Sequence, residues 1–129
     1  MSAMLTKIEI ITRSTKLDDL LRALNKIGVL GITVSQVFGC GLSKGHQEVY
    51  RGKTYDVKLV PKIKVETVVS EIPVDKVLDT CERVLRTGHF GDGKIFVTEL
   101  SDAVRIRTGQ HGDDAIRDIP GEAKEQASA

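Results

Sequence analysis

Apolar positions along the chain change period several times, and each change marks an element. Met4–Thr12 is rich in isoleucine and predicts a strand. Leu17, Leu20, Leu21, Leu24 and Ile27 then recur at helical spacing, with Ser14 or Thr15 as the expected cap and Gly28 as the stop. Gly31–Phe38 is β-branched and predicts a second strand. Gly39–Asp56 is polar, carries four glycines and has no clear period. Alternation returns over Lys58–Val69, where Ile63, Val65, Thr67 and Val69 share one face. Pro73 suits the first turn of a second helix, whose apolar stripe is Val74, Val77, Leu78, Cys81, Val84 and Leu85, ended by Gly88. Lys94–Leu100 predicts a fourth long strand, and Ala103–Thr108 a short fifth.

The order is β-α-β, a long loop, then β-α-β. This predicts an α+β domain of the ferredoxin-like double βαβ kind. Two helices cover only one face of a four-stranded antiparallel sheet. Ile95 and Val97 alternate with Phe96, so the last strand carries bulk on both faces, and the uncovered face calls for a partner subunit. The loop between the halves, about 18 residues, is long for a compact domain and is expected to be functional. It holds Lys44, His46, Tyr50, Arg51, Lys53 and Tyr55, which suit recognition better than a core. The domain is expected to span residues 1–116, and the small polar tail 117–129 to be disordered.

Composition narrows the partners. The chain has 129 residues and a formal net charge of +1. That size fits one domain, and that charge offers no bulk attraction for nucleic acid or membranes. No apolar run approaches the ~20 residues needed to span a bilayer, and the N-terminus lacks a signal-peptide core, so a cytoplasmic location is expected. Cys40 and Cys81 make neither a disulfide framework nor a zinc site, and Cys81 falls on the apolar face of a predicted helix. His46, His89 and His111 show no ligand spacing. No nucleophile–base pair is legible, so neither catalytic residues nor a protein metal site are expected.

The chemistry concentrates in Thr87–Lys94, Thr-Gly-His-Phe-Gly-Asp-Gly-Lys, and in Arg105 and Arg107. Glycines permit close backbone approach, and three cations suit a polyphosphate. Gly88 to Lys94 nearly matches the P-loop pattern, but Ile95 stands where that pattern needs a hydroxyl for Mg²⁺. A P-loop also follows a strand and opens a helix. This loop does the reverse, so it predicts a nucleotide-binding loop without hydrolytic machinery.

Several blocks occur together and in order: Lys16-Leu-Asp-Asp, Gly31-Ile-Thr-Val, Lys44-Gly-His, Tyr50-Arg-Gly-x-x-Tyr55, Pro61-Lys-Ile-Lys-Val-Glu66, Arg86-Thr-Gly-x-x-Gly-Asp-Gly-Lys-Ile-Phe-Val97 and Val104-Arg-Ile-Arg-Thr-Gly109. In this combination the chain resembles the PII signal transduction proteins (nitrogen regulatory protein P-II), from Lys7 to Ile116. The resemblance implies a homotrimer with nucleotide clefts between neighbours. It also implies ATP and ADP sensing, and control of a transporter or metabolic enzyme through the long loop, the T-loop, at about 41–59. Membrane contact would be indirect, through a transporter. Carried over residue by residue, the nucleotide site would use Ile11, Gly31, Ile32, Thr33, Gly39, Gly41, Glu66, Thr67, Val68, Gly91, Asp92, Gly93 and Lys94, with Arg105 and Arg107 on the phosphates. Tyr50, Arg51 and Tyr55 would meet the target, and Tyr55 matches a position uridylylated in relatives.

Two departures from the family pattern bear on ligands. Where relatives read Gly-Phe-Gly-Arg-Gln-Lys-Gly-His, this chain reads Gly39-Cys-Gly-Leu-Ser43-Lys-Gly-His46. Ser43 therefore replaces the glutamine that binds the Mg²⁺ bridging ATP and 2-oxoglutarate. Lys62, which would pair with the 2-oxoglutarate carboxylate, remains. The resemblance thus implies ATP and ADP, leaves room for Mg²⁺, and predicts weak or no 2-oxoglutarate binding. Lys53 stands where some relatives carry a phosphorylated serine. The competing readings are an RNA-binding ferredoxin-like module, disfavoured by the lack of exposed aromatic pairs on the strands, and a small enzyme on the same fold.

Overall fold

A computed structural model of the protein describes residues 4–43 and 56–117. Strand β1 (Leu5–Thr12) leads through a single 3₁₀ turn (Ser14–Lys16) into helix α1 (Leu17–Lys26). Strands β2 (Ile32–Ser43) and β3 (Asp56–Val69) follow, then helix α2 (Val74–Leu85), strand β4 (Lys94–Leu100) and a one-turn helix α3 (Asp113–Ile116). The sheet order is β2-β3-β1-β4, antiparallel throughout, as the double βαβ pattern requires.

Register explains which residues are buried. Ile8 and Ile10 of β1 stand opposite Thr67 and Val65 of β3, and opposite Val97 and Ile95 of β4. Ile8, Ile10, Ile63, Val65 and Val69 meet Leu20 and Leu24 of α1 and Val77, Cys81 and Leu85 of α2 in one core. At roughly 25 cal/mol per Å², burying each such side chain is worth about 1.5–3 kcal/mol. Thr80 is buried within the stripe, and its hydroxyl donates to the Lys76 carbonyl at 2.8 Å. Among the described residues the other sheet face has no helix, and it is lined with charge. Lys7 lies 3.3 Å from Glu66 and 3.7 Å from Glu9 across it. Phe96 and Val97, on opposite faces of β4, are each 48% exposed, so the edge strand is open on both sides.

Several boundaries differ from the sequence expectation. Neither Ser14 nor Thr15 caps α1: both lie in the 3₁₀ turn, and Lys16 occupies the cap position without a side-chain bond. The acidic pair Asp18 and Asp19 instead complements the helix dipole. The stop is as expected. The Gly28 amide bonds to the Asn25 carbonyl and the Val29 amide to Leu24, the double bond of a Schellman end. Pro73 sits one residue before α2, as its cap. The polar stretch Gly39–Asp56 is not irregular throughout, because β2 runs on to Ser43 and β3 starts at Asp56, paired to each other. Ladder hydrogen bonds extend these strands where the side-chain pattern fades. Ala103–Thr108 forms no strand. The Val104–His111 bridge, with Asp102 accepting from His111 and the Gly112 amide, links the two arms of a hairpin whose turn takes up residues 106–108. The expected tail residues 118–129, and Tyr50, Arg51, Lys53 and Tyr55, lie outside the described residues.

Candidate functional site

The residues singled out in the sequence gather at two places, one beside the middle of β3, where β1 ends, and one at the Val69 end of β3. At the first, the loop 87–93 folds against the last residues of β1. Its shape is set by the carboxylate of Asp92, which accepts the Thr87 hydroxyl at 2.5 Å, the Thr87 amide at 2.7 Å and the Gly88 amide at 2.9 Å. These bonds hold the Asp92 carboxyl down to about 2 from its ordinary 3.8, Thr87 contributing most. Asp92 was expected among the ligand contacts, but its carboxylate is turned into its own loop.

Three successive carbonyls of the loop are drawn toward the sheet by side chains. Phe90 O accepts from Arg13 at 3.2 Å, Gly91 O from Lys62 at 3.2 Å and Asp92 O from the Thr12 hydroxyl at 2.8 Å. In a trans peptide the C=O and N–H of one plane point in opposite directions, and the chain has no cis bond among the described residues. The N–H groups of Gly91, Asp92 and Gly93 therefore face away from those anchors. A run of outward amides of this kind is an anion nest. Gly93 makes the close packing possible. At φ +104° it passes so near β1 that a Cβ would stand 1.9 Å from the Ile11 carbonyl oxygen. Lys94 follows as the first residue of β4, paired with Ile11. Gly39 lies beside the same group, its α-carbon facing the Lys62 stem, and Gly41 pairs with Lys58 further along the hairpin.

The Val69 end of β3 borders a cleft of about 810 Å³. Gly31, Thr33, Glu66, Thr67, Val68 and Arg105 line it, all of them expected site residues. Thr67 is buried, and its hydroxyl donates to Gly31 O at 2.8 Å, which fixes the chain at the mouth of β2. The β2 ladder ends at the Ile32–Thr67 pair, while β1 continues alongside Val68 and Val69. Among the described residues, β3 therefore has no strand partner on that side beyond Thr67, and its main chain faces the cleft. This can present hydrogen-bonding groups to the edge of a flat heterocycle.

One wall of the cleft was not foreseen. Asp113, Ala115, Ile116 and Arg117 line it from α3 and its end. Asp113 accepts from Ser70, Arg117 bonds Asp113 at 2.6 Å and Glu71 at 2.7 Å, and Arg105 donates to the Arg117 carbonyl at 2.6 Å. Arg107 stands two residues on, in the hairpin turn.

The two groups are not joined within one chain. Lys62 and Thr67 are five residues apart on a strand, roughly 16 Å at about 3.3 Å per residue. The nest with Lys62 and Lys94 lies at mid-strand, and the cleft with Arg105 at the Val69 end. Arg13 and Thr12, which anchor the nest, escaped the sequence reading: a single cation and a hydroxyl at a strand end belong to no motif. Among the described residues no group of His, Cys, Asp or Glu could hold a metal ion, and no helix is long and apolar enough to cross a membrane.

Comparison with known proteins bears on the family and the fold. The family model described as Nitrogen regulatory protein P-II matches residues 5–110. A Nitrogen regulatory PII-like protein of Bacillus subtilis (strain 168) is 48% identical over 116 residues, 90% of this chain and 100% of the relative. A Nitrogen regulatory protein P-II of Bradyrhizobium diazoefficiens is 47% identical over 110 residues, 85% of this chain and 98% of the relative. Among solved structures, a B. subtilis GlnK–ATP complex shares 48% identity with a TM-score of 0.77, covering 87% of this chain and 97% of its own. An Arabidopsis thaliana PII bound to citrate shares 39% identity with a TM-score of 0.69, covering 88% and 92%.

Proposed function

We propose that this chain, which belongs to the nitrogen regulatory protein P-II family, is an adenine-nucleotide sensor whose binding site is assembled between two copies of itself. The observation that carries the reading is the separation of the two half-sites. The nest at Gly91–Gly93, with Lys62 and Lys94 beside it, suits phosphates. The cleft at Gly31, Thr33, Glu66, Thr67 and Val68 suits an adenine, and it carries Arg105. In one chain they form separate groups roughly 16 Å apart along β3, whereas the edge of a second copy could bring a cleft to a nest. The charged, uncovered sheet face and the half-exposed Phe96 and Val97 give such copies a surface to share. A homotrimer is the assembly the family pattern implies, and a relative with ATP bound supports the ligand.

ADP fits the same nest with one phosphate fewer, so the ATP to ADP ratio is the signal the site would read. Mg²⁺ would be held chiefly by the phosphates. With Ser43 in place of glutamine, 2-oxoglutarate adds little. The output is regulation rather than catalysis, through the T-loop with Tyr50, Arg51 and Tyr55 meeting a transporter or metabolic enzyme in the cytoplasm.

Calorimetric titration with ATP and ADP, combined with sedimentation, tests this. The expected result is a trimer binding up to one nucleotide per chain, with Lys94→Ala weakening ATP roughly ten- to hundredfold through loss of a charge-assisted contact. A monomer, or ATP affinity indifferent to Lys94→Ala, would defeat the reading. Deleting 48–55 is expected to leave ATP binding intact and abolish capture of the target.

A further inference from the structure

We propose that Arg13 is a positioning residue for the phosphate nest, acting on it through Asp92 and the Phe90 carbonyl. The inference rests on the nucleotide reading above and extends it to a residue outside the expected site.

The loop 87–93 has little apolar anchoring. Phe90, its one large apolar side chain, is fully exposed, and Gly88, His89 and Gly91 are exposed as well. Its shape must come from polar contacts. Asp92 closes the loop on itself by accepting from Thr87 and Gly88. That ring would still pivot as a unit were it not tied to the sheet. Thr12 and Lys62 each tie one carbonyl, and Arg13, from just beyond the end of β1, supplies the tie that also reaches the carboxylate. Its Nη2 donates to Asp92 Oδ1 at 3.0 Å and to the Phe90 carbonyl at 3.2 Å. One nitrogen thus holds the carboxylate that closes the loop and the first of the three inward carbonyls. Turning the Phe90 carbonyl inward is what turns the Gly91 amide outward. Loss of Arg13 frees the first peptide plane of the nest while Thr12 and Lys62 still hold the next two.

Both contacts come from Nη2 on the inner side of the loop, while Nε is buried without a hydrogen-bond partner, so the effect we assign to Arg13 on a phosphate runs through the loop. Both partners are partly exposed, at 35% and 22% of their side chains, which limits the size of the effect. Arg13→Gln is expected to weaken ATP and ADP binding about three- to tenfold, with Arg13→Lys recovering part of the loss because an ammonium reaches one of the two acceptors. If Arg13 works through Asp92, adding Arg13→Gln to Asp92→Asn costs at most about twofold more. A purely independent contribution would multiply the two losses.

The experiment is calorimetry with ATP and ADP on the full-length protein and the variants Arg13→Gln, Arg13→Lys, Asp92→Asn and the double variant. It is paired with amide exchange at Thr87, Gly88 and Gly91 without nucleotide. Faster exchange at Thr87 and Gly88 in Arg13→Gln, with the stated affinity loss and a non-multiplying double variant, supports the proposal. Unchanged exchange in Arg13→Gln overturns it whether or not nucleotide binds. Unchanged ATP affinity in Arg13→Gln, or multiplying losses, also overturns it while leaving the nucleotide reading standing. Absence of ATP binding by the unaltered protein would instead sink the nucleotide reading, and this inference with it.

Discussion

Replacing Gly93 by alanine tests whether the close passage of the loop over β1 holds the site together. The new methyl would stand 1.9 Å from the Ile11 carbonyl oxygen and 2.9 Å from the Thr12 α-carbon, both backbone atoms of a central strand. An ordinary C···O contact is about 3.3 Å, so the chains must part by more than about 1 Å. The least costly route opens the Ile11–Lys94 pair at the start of β4. That forfeits about one ladder hydrogen bond, roughly 0.5–1.5 kcal/mol. The positive φ of +104° adds about 1–2 kcal/mol for a residue with a Cβ. The sum is about 1.5–3.5 kcal/mol, on the order of 10 °C in Tm for a domain of this length. Gly88→Ala is the control. Its φ is also positive, but nothing lies within 4 Å of a methyl there, so only the conformational cost of about 1–2 kcal/mol applies. Thermal unfolding of both variants, with ATP titration of each, separates the terms. Gly93→Ala is expected to lose more stability than Gly88→Ala and to lose ATP affinity through displacement of Lys94. Equal losses, or a Gly93→Ala protein that unfolds like the parent and binds ATP as well, would refute the reasoning.

Thr67→Val keeps the shape of a buried side chain but removes the bond to Gly31 O. It is expected to cost about 1–2 kcal/mol in thermal unfolding and to weaken nucleotide binding, and unchanged stability would count against that bond. Asp92 has its folded pKa lowered to about 2, so its contribution to stability is complete above the ordinary 3.8 and is lost as pH falls toward 2. Asp92→Asn should therefore flatten the fall of Tm between about pH 4 and pH 2 relative to the parent, and parallel curves would contradict it. Burial pushes the Cys81 thiol up to about 11, so Cys81 should resist a disulfide reagent at pH 8 until the protein unfolds, whereas exposed Cys40 is open to it. Labelling of Cys81 in the folded protein would place it outside the core.

The core was legible because period and burial agree. Ile63, Val65, Thr67 and Val69 alternate in sequence and all four are buried, and Val77, Cys81 and Leu85 fall on the inward stripe of α2. Strand ends were less legible, because at Gly39–Ser43 and Asp56–Val57 the backbone ladder continues after side-chain alternation stops. The hairpin after β4 was misread as a strand because Val104, Ile106 and the flanking arginines have β-like composition, while Thr108 and Gly109 turn the chain. The glycine-lysine loop announced itself by composition. Its supports did not, because Arg13 and Thr12 lie 79 and 80 residues from Asp92 in sequence and meet it only through the β1–β4 pairing. α3 was hidden by its length, since one turn carries no period.

The claim that two copies complete each site is tested most directly by complementation. Lys94→Ala damages the nest and Arg105→Ala the cleft, so each variant alone should bind ATP poorly. Co-expressed with different tags and purified as mixed assemblies, the two should regain tight ATP binding at those interfaces where an intact nest meets an intact cleft. Mixed assemblies that bind ATP no better than either variant alone would show that nest and cleft do not serve one nucleotide across the interface.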